Sequence, residues 1–351
     1  MDPLEKANTS QSLGRIGVIW YETLWHSGRF KPLKKAFDLL KGVIYSLILI
    51  RRHKAKKIYS EGFPGAIIGH FLSKLSGMPH IIHTFEPHAD YMVEAGVWNK
   101  SNWEYRLLKK LEIPVGNHAT HIITATKGYR KRLLEKGIKS EIRVIPSCVD
   151  TSFYKYLPEK RVELRSTFGL TNEHIVIAYL GKLGGMYMDR ELFEFFASCL
   201  RDGKDRFFFF LFTNESSDKI EASLRDWGIP LSKIFYKYLQ KDEVPSYLSA
   251  ADIGFCGIRA IKSRRFSSPI KNGEYWACGL PILIPEGISD DYIHASEEQI
   301  GLTFKNTSEI DLKVLESLKR IDRRIIEKKS FALRGLENYR QSYLEVFDVI
   351  H

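Results

Sequence analysis

The chain has 351 residues, a hydrophobic content of 44% and a charged content of 27%. That is a globular chain long enough for two ordinary domains, not a disordered one. No apolar run reaches bilayer-spanning length, the stretch from Met1 to Gly14 has no signal-peptide core, and Cys148, Cys199, Cys256 and Cys278 lack zinc spacing, so the expectation is a cytosolic protein with reduced thiols.

In chain order, Met1 to Gly14 reads as a loose tail and Ile16 to Tyr21 as a buried strand. Residues 32–55 read as a long helix. Its apolar middle, Gly42 to Ile50, is flanked by Arg29, Lys31, Lys34, Lys35, Lys41, Arg51, Arg52, Lys54, Lys56 and Lys57. The formal net charge is +11, and all of it lies in residues 1–150, where 24 Lys+Arg face 13 Asp+Glu. An anionic partner is therefore expected at the front of the chain. Two readings of the long helix stand level: a core helix with solvated basic ends, or a helix lying on the inner leaflet of a membrane through basic residues 29–57. No nucleic-acid motif accompanies the charge, so nucleic acid is not expected.

A strand at Lys57 to Ser60 is followed by a helix from Ala66 to Ser76, stopped by Gly77 and Pro79. His80 to Phe85 is a strand leading into a loop with Glu86, His88 and Asp90. A helix at 101–113, strand His121 to Ala125, helix Lys127 to Gly137 and strand Ile142 to Pro146 complete a first series. Such alternation predicts a parallel sheet covered on both faces. Residues 151–170 carry no strand signal and mark a junction.

A second series follows: strands Ile175 to Leu180, Phe207 to Phe212, Ile234 to Tyr236 and Ile253 to Cys256, with helices Arg190 to Leu200, Lys219 to Trp227 and Val244 to Ala250 between them. The glycine-rich loop Gly181-Lys182-Leu183-Gly184-Gly185 follows the first of these strands. The tail from about Lys328 reads as helix. Domains are expected at 1–155 and 160–330, with a C-terminal helix at 331–351 packing back on the first domain.

The densest signal is Ser268-Pro269-Ile270-Lys271-Asn272-Gly273-Glu274-Tyr275-Trp276-Ala277-Cys278-Gly279-Leu280-Pro281. Ser268 reads as a helix cap, Pro269 as a first-turn residue and Gly279 as a stop. A helix start presents unpaired N–H groups and a positive dipole end, which suit phosphate. Lys271 adds charge there, and Glu274 can accept two hydroxyl hydrogen bonds from a ribose diol. A phosphate binder and a diol binder on one short element suit a sugar nucleotide.

This run resembles the S-P-x-K-x-x-E-Y-x-A-x-G-x-P signature of glycosyltransferase family 4, retaining enzymes of the GT-B fold. Arg143-Val144-Ile145-Pro146-Ser147-Cys148-Val149-Asp150 resembles the family's V-I-P-N-G-V-D element, with Cys148 at the usual glycine. The resemblance spans roughly residues 60–350 and implies an α/β GT-B architecture with two Rossmann-like domains facing a cleft. It implies a metal-independent retaining transfer of a sugar from a nucleotide-diphosphate sugar, with no cofactor. Gly181, Lys182, Ser268, Pro269, Lys271 and Glu274 would hold the donor, and Lys182 would also stabilise the leaving diphosphate. His83 or His88 would lie near the transferred sugar, and Glu86 or Asp90 would orient the acceptor hydroxyl or take its proton.

Departures are visible. Phe266 stands where many members carry a second glutamate, eight residues before Glu274. Arg264 and Arg265 beside it read as phosphate binders or a solvated charge run. Ser289-Asp290-Asp291 lacks D-x-D spacing and reads as a turn with a helix start. The front is short, with one strand before the long helix. The acceptor expectation is a glycan or lipid-linked precursor of a cell-surface polysaccharide. Two other readings remain open: a sugar-nucleotide epimerase on the same fold, and a degenerate, partner-binding homologue.

Overall fold

The computed structural model describes residues 3–22 and 31–348. The front part comprises α1 (Pro3–Arg15), α2 (Lys31–His53), β1 (Ile58–Glu61), α3 (Gly62–Ser76), β2 (His80–Thr84), α4 (His88–Glu94), α5 (Trp103–His118), β3 (His121–Thr124), α6 (Lys127–Glu135) and β4 (Glu141–Val144). Its strands form a parallel sheet in the order β1-β2-β3-β4.

The rear part comprises α7 (Pro158–Thr167), β5 (Ile175–Leu180), α8 (Arg190–Gly203), β6 (Phe207–Phe212), α9 (Ser217–Asp226), β7 (Ile234–Lys237), α10 (Val244–Ala250), β8 (Ile253–Phe255), α11 (Ile270–Ala277), β9 (Ile282–Pro285), α12 (Asp291–Glu297), β10 (Gly301–Phe304), α13 (Leu312–Lys319) and α14 (Arg323–Arg334). Here the parallel order is β10-β9-β8-β5-β6-β7. The chain starts this sheet in the middle, at β5, and builds outward on both sides. A crevice therefore opens between β5 and β8 at their carboxyl ends.

Burial explains the rear sheet. Strand side chains alternate faces, and both faces here are apolar. Val176, Phe208 and Phe210 pack on one face with Trp276, while Ile177, Phe209 and Phe255 pack on the other with Phe196. The front sheet is smaller. One face packs Ile82, Ile122 and Tyr129 with Phe266, a residue of the rear part. The other packs Ile81, Ile123 and Ile145 under α15 (Leu336–Asp348), through Val346, Tyr339 and Phe347. Each face of the front sheet thus borrows apolar cover from later in the chain.

Three expectations are corrected at the front. The segment expected as a loose tail contains a helix, α1. Ile16 to Tyr21 is no strand: Ile16 and Ile19 are 73% and 64% exposed, and among the described residues β1 pairs only with β2. An apolar run becomes a strand only beside a partner, and local pattern carries no pairing information. The loop expected to hold His88 and Asp90 turns into α4 at His88, within one turn of the β2 end. Arg29 lies outside the described residues. No helix among the described residues is long and apolar enough to cross a membrane.

Candidate active site

The crevice between β5 and β8 leads into a cavity of roughly 480 Å³. The loops leaving both strands line it: Gly181 and Lys182 after β5, Cys256, Gly257 and Ile258 after β8. The start of α11 lines it through Ser268, Pro269, Ile270 and Lys271. Phe85 and Glu86, just beyond β2, line it from the front part.

The start of α11 is built differently from the expectation. Pro269, with φ −63°, occupies the cap position and no side chain caps the helix. Ser268 instead accepts the backbone N–H of Ser147 at 3.1 Å, which ties α11 to the segment after β4. Proline brings no N–H and holds φ in the helical range, so it starts the helix without a side-chain cap. The first-turn amides of Ile270, Lys271 and Asn272 then have no side-chain acceptor from a cap. Gly279 ends the motif with φ +72°, where a Cβ would come within 2.7 Å of Arg323.

A network that the sequence pattern does not reveal fixes this helix. The Arg334 guanidinium is buried and donates to both oxygens of Asp291 at 2.6 and 2.8 Å, to the Pro269 carbonyl at 2.9 Å and to the Ser147 carbonyl at 2.9 Å. Asn272 donates to the same carboxylate at 2.9 Å. Asp291 is thus structural, while Asp290 accepts the Lys127 backbone N–H at 2.7 Å across to α6. The only hint in the sequence is an arginine near the end of an apolar helical face, a place with many innocuous readings.

Lys271 and Glu274 sit one helical turn apart on one face. The ammonium contacts the Glu274 carboxylate at 2.8 and 3.1 Å. Glu274 is buried, whereas the Lys271 side chain is 41% exposed and lines the cavity. Tyr154 lies against Glu274; burial, then this carboxylate, pushes its phenol pKa up. Beneath the loop, the Leu180 N–H donates to the Tyr275 hydroxyl at 2.7 Å, and the Tyr179 hydroxyl donates to the Lys182 carbonyl. A Cβ on Gly181 would reach 3.0 Å from that Tyr179 hydroxyl, so the glycine keeps this turn close.

The cavity brings together Gly181, Lys182, Ser268, Pro269, Lys271 and Glu86, with Glu274 reached through Lys271. Burial raises the Glu86 pKa above the usual carboxylate range, and Arg264, 3.5 Å away, opposes that shift. His83 and His88 do not line it. The His83 imidazole is hydrogen-bonded to the Tyr59 hydroxyl at 2.6 Å, and burial pushes its pKa down to about 4. His88 lies edge-on to Trp98 and flanks a separate shallow cleft; burial lowers its pKa too. Asp90 accepts from Lys109 at 3.1 Å, from Tyr105 and from Arg132. Burial works to raise its pKa, but the Lys109 hydrogen bond and the nearby cations hold it low.

The loop holding Phe266 crosses between the two parts. Phe266 is buried against Tyr129, with the Arg132 guanidinium 5.2 Å from its ring, and its carbonyl accepts from Thr126 at 3.2 Å. Ser263 donates twice to Glu94, at 2.7 and 2.8 Å. Arg264 lines the cavity and faces Glu86 and Tyr91, so it is not a solvated charge. The position of the family's second glutamate is therefore an apolar contact between the parts.

Residues 8–148 match the model of a family described as glycosyl transferase 4-like domain. No curated protein matches the chain. Among solved structures, Alr3699/HepE of Anabaena in complex with UDP superposes with a TM-score of 0.73 at 12% identity, covering 97% of this chain and 88% of that one. A glycosyltransferase from Rickettsia africae ESF-5 gives 0.71 at 13% identity, covering 97% and 87%. WaaG, a glycosyltransferase involved in lipopolysaccharide biosynthesis, gives 0.62 at 13% identity, covering 98% and 94%. The architecture is thus that of the GT-B glycosyltransferases, and the resemblance to glycosyltransferase family 4 stands.

Proposed function

We propose, from the premise of a glycosyl transferase 4-like domain on a GT-B fold, that the chain is a retaining glycosyltransferase using a nucleotide-diphosphate sugar. The observation that carries this reading is the convergence of Lys182, Lys271 and the start of α11 on one cavity at the β5–β8 crevice. Two ammonium groups and a helix N-terminus match a diphosphate. HepE was crystallised with UDP and with UDP-glucose, which supports a nucleotide-sugar donor here.

In this reading the Lys271–Glu274 pair opens when donor arrives. The diphosphate takes over the Lys271 ammonium, and the freed Glu274 carboxylate accepts from the ribose hydroxyls. Ser268 and Pro269 hold the helix start in place through Ser147 and Arg334. As the anomeric C–O bond breaks, negative charge grows on the leaving phosphate and Lys182 and Lys271 stabilise it. The acceptor hydroxyl attacks from the same face and its proton passes to that phosphate. Glu86, facing the cavity from the front part, orients the acceptor. These residues supply the charge stabilisation without a metal or cofactor.

The acceptor is a glycan or lipid-linked precursor in cell-surface polysaccharide synthesis, taken up by a cytoplasmic enzyme that sits peripherally on the inner membrane face. WaaG is a glycosyltransferase involved in lipopolysaccharide biosynthesis, which supports a glycan precursor as the acceptor. The test is transfer and nucleotide binding by Lys271→Ala and Glu274→Ala. Loss of one preorganised charge lowers transfer by about 10²–10³-fold. Unchanged rates in both variants refute the assignment.

A further inference from the structure

Helix α2 is apolar on two sides. Toward the protein it packs on α3, with Asp38 buried and Val43, Leu47 and Ile50 partly covered. Toward solvent it presents Phe37, Leu40, Ile44 and Ile48, which are 61%, 60%, 51% and 54% exposed. Their spacing of three, four and four residues places them on a single stripe about 16 Å long. Such a row in water is unfavourable and marks a surface that is covered in use.

The charges around the stripe say what covers it. From Lys31 to Lys57 the sequence holds nine Lys and Arg and one acid, the inward-facing Asp38. Lys41 lies within the stripe, and Arg51, Arg52, Lys54 and Lys56 at its end are exposed. None of these five forms an ion pair with a described residue. An apolar row rimmed by unpaired cations repels a second copy of the same surface. It complements a layer with an apolar interior and an anionic skin.

We infer that the outer face of α2 is a docking surface for anionic phospholipid bilayers, with Phe37, Leu40, Ile44 and Ile48 entering the acyl boundary and Lys41, Arg51, Arg52, Lys54 and Lys56 contacting headgroup phosphates. This deepens the membrane-facing part of the reading above, and rests on it. Docking through α2 holds the front part, which carries Glu86, against the source of a lipid-linked acceptor.

The test is co-sedimentation of the full chain with vesicles of phosphatidylcholine alone, or with about one-third phosphatidylglycerol, at near-physiological salt. Binding to the anionic vesicles exceeds binding to neutral ones by at least about tenfold and weakens as salt rises. The double variant Phe37→Glu/Ile44→Glu, changed only at exposed positions, loses that binding while its melting temperature and UDP affinity stay as in the parent. Arg51→Glu/Arg52→Glu loses the salt-sensitive part. The inference is overturned if the parent chain binds UDP but no vesicle, if Phe37→Glu/Ile44→Glu binds vesicles like the parent, or if the parent is a dimer that this variant splits without any vesicle binding. Vesicle binding without any nucleotide binding would instead refute the donor site and leave this surface standing.

Discussion

The two sheets are filled to different degrees by their own apolar residues. Strand β6 is Phe207, Phe208, Phe209, Phe210, Leu211 and Phe212, all buried, and each ring packs among residues of the rear part itself. The front strands bury imidazoles alongside their isoleucines. His80, His83 and His121 are buried, and Ser60 and Tyr59 partner the first two. The front sheet is also closed by parts that are not its own, Phe266 on one face and α15 on the other. The rear part is therefore stabilised chiefly by its own apolar burial, while the front part depends on polar pairing and on the rear part's contacts.

The harshest way to break this contrast is within the rear core. Phe209 stacks on Phe196 with ring centroids 4.0 Å apart. Phe209→Ala costs about 3–5 kcal/mol in urea unfolding, a cavity cost in a packed apolar interior. A loss below about 1 kcal/mol would show that this core repacks freely. Arg334→Ala is next, at about 3 kcal/mol or more, because Asp291 is left buried without its cation. It also weakens UDP binding, since the Pro269 and Ser147 carbonyls lose their common donor; calorimetric titration reads both the loss and its absence.

Phe266→Ala sharpens the contrast. It removes a ring from the front core without touching the rear one, at about 3 kcal/mol. Amide exchange should quicken in β2 and β3 while β5 and β6 stay protected. Equal quickening in both sheets would mean that the two parts unfold as one unit.

Acid separates them as well. Burial pushes His80 and His83 down to about 4, with the neighbouring His118 and His70 adding to the shift at His80. An unfolded imidazole titrates near 6.5, so between about 6.5 and 4 the unfolded chain binds more protons. Front-part stability is then whole above pH 6.5 and falls as pH drops toward 4. Exchange protection in β2 measured at pH 7.5 and 5 should decline, with little change in β6. The smallest effect belongs to the outer face of α2: Ile44→Ser changes the unfolding free energy in urea by no more than about 0.5 kcal/mol, because that side chain is half exposed already.

Much of the candidate site was legible because its parts lie within one helical turn. Lys271 and Glu274 share a face by spacing alone, and Gly181 and Lys182 follow an unmistakable buried strand. His83 and His88 were not decidable that way. Being near the end of β2 does not say whether an imidazole turns to Tyr59, to Trp98 or into the crevice. Ser268 as a cap failed for the same reason, since its hydroxyl is claimed by Ser147, far away in the chain.

The sequence by itself determined the two alternating series, the basic front, and the short element that sets Lys271 one helical turn before Glu274. Periodicity, breaker residues and charge are local properties, and local order is enough to read them. Only the tertiary structure decided that Ile16 to Tyr21 has no strand partner, that Arg334 anchors α11, that Phe266 joins the two parts, and that one apolar row of α2 faces water. Those outcomes depend on which distant surfaces meet, and pairing between distant segments is decided by global packing.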